Sequence, residues 1–77
     1  NQVFKKTNIQ AGQIRQISSK KIIVYLVPIP KKEPNVKVIK KNLMQRIGKE
    51  MVIDIKLVNK IPMSPTGKFR LVIRDNF

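Results

Sequence analysis

The chain has 77 residues, 42% of them hydrophobic, and a net charge of +13, so it forms one small domain that buries roughly 60% of the surface its unfolded chain exposes. It contains no cysteine and no histidine, which excludes a disulfide framework, a thiol nucleophile, and the commonest general base and zinc ligand. Its carboxylates, Glu33, Glu50, Asp54 and Asp75, are not placed as a catalytic pair, and no metal site is expected.

Residues 1–10 are polar with isolated apolar positions and read as a loose lead-in. They are not a signal peptide, because no long apolar segment follows Lys5 and Lys6. Residues 13–17 predict a short strand, and Ser18, Ser19 and Lys20 a turn. Residues 21–27 are the clearest strand, since they are β-branched or aromatic and apolar on both faces; such a strand belongs inside a sheet covered on both sides. Pro28 ends it by removing a ladder donor. Pro28, Pro30 and Pro34 then stiffen a connecting loop.

Asn35 is placed to cap a helix over residues 36–47, with Gly48 as its stop. Val36, Ile39, Leu43, Met44 and Ile47 fall on one side at helical spacing and predict its core face. Lys40 falls within that stripe and must carry its ammonium outward on its stem. Residues 52–59 alternate, with Ile53, Ile55 and Leu57 inward and Asp54 and Lys56 outward. Residues 69–74 alternate again, with Phe69, Leu71 and Ile73 inward and Lys68, Arg70, Val72 and Arg74 outward. The order is β-β-α-β-β. It predicts an α+β domain: a three- to four-stranded mixed or antiparallel sheet with one main helix packed on a face.

The charge has two readings. It is either a solvated lysine-rich surface or an attraction to an anion such as nucleic acid, a membrane or a nucleotide. Nucleic acid is the less favoured partner. Aromatics are few, no RNA-binding signature with close aromatics appears, and the basic residues are spread along the chain. No run of about 18 apolar residues is present, so no membrane span is expected.

Between the last two alternating segments lies Ile61-Pro62-Met63-Ser64-Pro65-Thr66-Gly67-Lys68-Phe69-Arg70. It is not a phosphate-binding P-loop: that motif needs glycine where Pro62 stands and serine or threonine where Phe69 stands. Taken alone, the stretch describes a long hairpin connection, with Pro62 and Pro65 limiting the backbone and Gly67 permitting a turn. On that reading Lys68 is a solvated lysine.

The same stretch resembles the last core motif of the adenylate-forming (AMP-binding) ligases: Ile-Pro, a short polar run, Ser/Thr-Gly-Lys, then an apolar residue and a nearby arginine. Its form looks most like the phenylacetate–coenzyme A ligase group, and within it the branch associated with capsular polysaccharide biosynthesis. Residues 13–17, Val27-Pro28 and Arg46-Ile47-Gly48 fit that branch less specifically. Arg70 stands two residues after the lysine, where many such ligases place arginine three after, and Met63 replaces a commoner basic residue.

The resemblance implies that residues 11–77 are the small C-terminal domain of a cytoplasmic two-domain enzyme whose large N-terminal domain is absent from this chain. That domain would hold ATP, magnesium and a small-molecule carboxylic acid, and coenzyme A is a possible acceptor. Lys68 would be the catalytic adenylation lysine, meeting ATP on the phosphate side. Pro62, Ser64, Pro65, Thr66 and Gly67 would form the loop that positions it. The chain alone is expected to be inactive and to bind no cofactor. The rival from another class is a basic nucleic-acid- or polyanion-binding module.

Overall fold

The computed structural model describes residues 3–48, 50–61 and 72–75. It contains strands β1 (Ile9–Ser18) and β2 (Lys21–Pro28), helix α1 (Val36–Ile47), and strands β3 (Val52–Leu57) and β4 (Val72–Arg74). The four strands form one mixed sheet in the order β3-β2-β1-β4. The fold is therefore the expected α+β domain.

The centre of the sheet is a local hairpin. β1 and β2 pair antiparallel from Ile9↔Pro28 to Ser18↔Lys21. The Lys20 N–H donates to Ser18 Oγ across the turn. β1 runs longer than the predicted 13–17 because two irregularities, at Ile9/Ala11 and Gln16/Ser18, let it follow β2 to its end. The first shifts the side-chain alternation by one residue, which brings Ile9 to the same face as Ile14 and onto the core.

β2, α1 and β3 form a β-α-β unit, with β2 and β3 parallel from Lys21↔Val52 to Leu26↔Leu57. A parallel pair requires a crossover, and α1 supplies it. The helix has the predicted bounds. Asn35 Oδ1 accepts from the Val38 N–H, and the Gly48 N–H donates to Met44 O.

Ile22, Val24 and Leu26 of β2 and Ile39 and Leu43 of α1 are buried together with Val3. At roughly 25 cal/mol per Å² of apolar surface, these contacts are the main stabilising force of a domain this small. The residues facing away from α1, Ile23, Tyr25 and Val27, are only half-buried. No second described helix covers them, contrary to the two-sided cover expected for β2.

Four expectations are corrected. Residues 3–8 are no loose lead-in. Val3 and Thr7 are buried, Thr7 Oγ1 donates to Phe4 O, and the Asn35 N–H donates to Thr7 O at 2.8 Å. The helix stripe is narrower than predicted: Met44 is 42% and Ile47 36% exposed, because α1 seats on β2 through Ile39 and Leu43. Leu57 was expected inward but is 59% exposed; it lies on the outer edge strand. Finally, β4 has the opposite parity. Val72 pairs with Ile14 and Arg74 with Gln16, whereas Ile73 pairs with Arg15. Val72 and Arg74 are thus on the helix side of the sheet and Ile73 on the other.

Candidate functional site

The motif begins at a fixed point. The Val58 N–H extends the β2–β3 pairing by donating to Leu26 O at 2.9 Å, and Ile61 is buried. Pro62, Ser64, Pro65, Thr66, Gly67 and Lys68 themselves lie outside the described residues. The chain is described again at Val72, in register with Ile14.

These two flanks lie on opposite edges of the sheet, since among the described residues β3 borders only β2 and β4 borders only β1. A hairpin joining β3 to β4, the bland reading of this stretch, is thereby excluded. The reason is that β1 and β2 close on each other first in sequence, so only the two outer edges remain for later strands.

After β4 the chain is latched down. The Asp75 N–H donates to Gln16 O at 2.9 Å. The Arg15 guanidinium meets the Asp75 carboxylate with Nη2–Oδ1 at 3.0 Å and Nε–Oδ1 at 3.1 Å. This forked geometry suits arginine and not lysine. Hydrogen bonding to Asp75, and secondarily its negative charge, raises the Arg15 pKa above its ordinary value. Asp75 is therefore committed to a structural contact. No described group of three or more carboxylates is arranged to hold a metal ion.

A cleft of about 260 Å³ separates the C-terminal half of α1 from β1 and β4; Ile14, Leu43, Ile47, Met51 and Val72 are among the residues lining it.

The basic residues do not stay spread, as the sequence had suggested. The Asn42 side chain donates to Val3 O at 3.2 Å, Asn8 donates to Glu33 O, and Asn35 is tied to Thr7. These bonds bring Lys5 and Lys6, and Lys31 and Lys32, to the helix that carries Lys37, Lys40 and Lys41. All seven are exposed. Sequence reasoning missed this grouping, although one signal was readable: α1 has four cations, counting Arg46, and no acid.

The architecture defines a class: a small α+β domain built on a β-α-β unit, widened by a hairpin strand and closed by a short C-terminal edge strand. The chain belongs to the CapK C-terminal domain family, which matches residues 1–75. That family is related to capsule biosynthesis, and the match takes in residues 1–10. No curated protein and no solved structure matches the chain. No helix among the described residues is long and apolar enough to cross a membrane.

Proposed function

We propose that this domain is the small C-terminal domain of an ATP-dependent, acyl-adenylate-forming enzyme of the coenzyme A ligase type, working in capsular polysaccharide biosynthesis. The observation that carries this reading is the Ile61–Pro62 … Thr66–Gly67–Lys68 stretch, in a chain whose family is a capsule-related C-terminal domain. The described residues that flank it are held in the domain: Ile61 is buried and Val72 pairs with Ile14.

Lys68 would act on the adenylation half-reaction. A carboxylate oxygen of the acid attacks the α-phosphorus of ATP, the bond to the bridging oxygen breaks, and pyrophosphate leaves. Two anions approach, and negative charge builds on the phosphoryl oxygens. A positioned ammonium offsets that repulsion most strongly in a closed, poorly hydrated site. The preceding large domain would hold the nucleotide and the acid and supply the closure. Magnesium does not fit the described residues of this chain, given its few and dispersed carboxylates, and is assigned to that domain.

The test is made in the full-length parent. Lys68→Ala should slow acyl-adenylate formation by at least about a hundredfold, or roughly 2.7 kcal/mol of transition-state stabilisation. Lys56→Ala, at an exposed position of β3, controls for net charge. Equal slowing by both variants would remove the catalytic role from Lys68. Absence of any acid-dependent pyrophosphate exchange in the parent would overturn the ligase reading itself.

A further inference from the structure

We propose that the outward face of α1, with the two turns beside its N-terminal half, is a docking surface for an anionic lipid bilayer. Lys37, Lys40 and Lys41 on the helix and Lys5, Lys6, Lys31 and Lys32 on the turns place seven exposed cations in these segments against one carboxylate, Glu33. The seven lysines make no ion pair among the described residues. Lys37 stands one turn from both Lys40 and Lys41, where like charges repel. It also stands in the first helical turn, which has no acid and where the backbone dipole disfavours a cation.

Lys6 and Lys31 adopt φ angles of 57° and 65°. Glycine or asparagine would occupy that left-handed region with less strain. The domain thus carries lysine at Lys37, where charge repulsion and the helix dipole oppose it, and at Lys6 and Lys31, where backbone geometry opposes it. An anionic partner relieves the repulsion.

The chemistry between the lysines selects a bilayer over other anions. Met44, 42% exposed, lies on the helix surface among Lys37, Lys40, Lys41 and Gln45. Apolar side chains set among lysines suit an interface where the chains enter the acyl boundary and the ammonium groups meet headgroup phosphates. The helix face carries no aromatic ring, so it offers no platform for stacking nucleic-acid bases. This inference is independent of the adenylation chemistry of Lys68.

The test uses the 77-residue chain and co-sedimentation with vesicles of phosphatidylcholine containing about one-third phosphatidylglycerol, at about 0.15 M salt. The chain should bind these vesicles and leave pure phosphatidylcholine vesicles unbound. K37E/K40E/K41E should weaken binding at least tenfold, and K20E/K56E/K60E, of equal net charge, less than threefold. Met44→Ser should weaken vesicle binding about threefold and leave the binding of a single-stranded RNA unchanged. Circular dichroism confirms that each exposed-site variant is folded. Equal losses from the two triple variants, or no effect of Met44→Ser, would overturn the proposal. RNA binding tighter than vesicle binding, with the same dependence on α1, would reassign the face to nucleic acid. Failure of the full-length parent to bind vesicles that the chain binds would assign the face to the preceding domain.

Discussion

Gly12 lies directly under the ring of Phe4: a β-carbon there would stand 2.9 Å from Phe4 Cε2 and Cζ and 3.0 Å from Cε1. The absent side chain is what lets the N-terminal turn close over β1 and bring Val3 into the core. Gly12→Ala should cost about 1–3 kcal/mol, the usual range for forced overpacking, despite the normal benefit of replacing glycine in a strand. Chemical denaturation measures this. Unchanged stability would mean that the ring swings aside freely.

The helix stripe divides into residues that hold the fold and residues that do not. Ile39 is fully buried, and Ile39→Ala should cost about 3 kcal/mol, enough to unfold much of a domain this small. Met44→Ala, five residues further on and off the buried side of the helix, should cost well under about 1 kcal/mol. A comparison of denaturation midpoints separates the two. Similar losses would place Met44 in the core.

Asn35 joins three functions at the start of α1: its Oδ1 accepts from Val38 N–H, its carbonyl from Ile39 N–H, and its own N–H donates to Thr7 O. Asn35→Ala removes only the first and should cost about 0.5–1 kcal/mol, because the 3.4 Å cap bond is long and exposed caps fall at the low end. Amide exchange of Val38 should accelerate more than that of Leu43.

The Arg15–Asp75 fork latches the end of β4. Asp75→Asn should speed amide exchange at Ile73 and Asp75 while leaving β2 unchanged. Because Arg15 has its pKa raised by Asp75, its share of the stability is fully present below the ordinary arginine value and lost only as pH rises through that region. Arg15 titration should therefore give no slope in stability near neutral pH. Exchange rates spreading through β2 in the variant would show that β4 is integral to the core.

Much of the fold was legible. The Asn35 cap and the Gly48 stop bracket α1 because both signals act within one turn of the backbone. β2 was legible because the unbroken apolar run from Ile22 to Val27, rich in β-branched residues, favours a strand. The parity of β4 was not legible. Leu71, Val72 and Ile73 are all apolar, so alternation alone does not choose a face, and pairing with Ile14 decides it. The burial of Val3 was hidden for a similar reason: it depends on a glycine in another segment. The candidate site was legible only as a pattern, from Ile61 to Arg70. Its geometry lies outside the described residues, and the lysine grouping depends on side-chain-to-backbone bonds from Asn8 and Asn42 that no local pattern announces.

The sheet order also sets a sequence of assembly. β1 and β2 meet through a two-residue turn, and β3 follows through its own crossover helix, so these parts complete one another early. Arg15 and Asp75 are 60 residues apart, and among the described residues Val72–Arg74 adds the last edge. The segments that form the three-stranded, helix-covered body all precede the Lys68 segment in the chain. A ribosome that stops just after Ile61 would then release a body that folds yet lacks the segment proposed to do the chemistry.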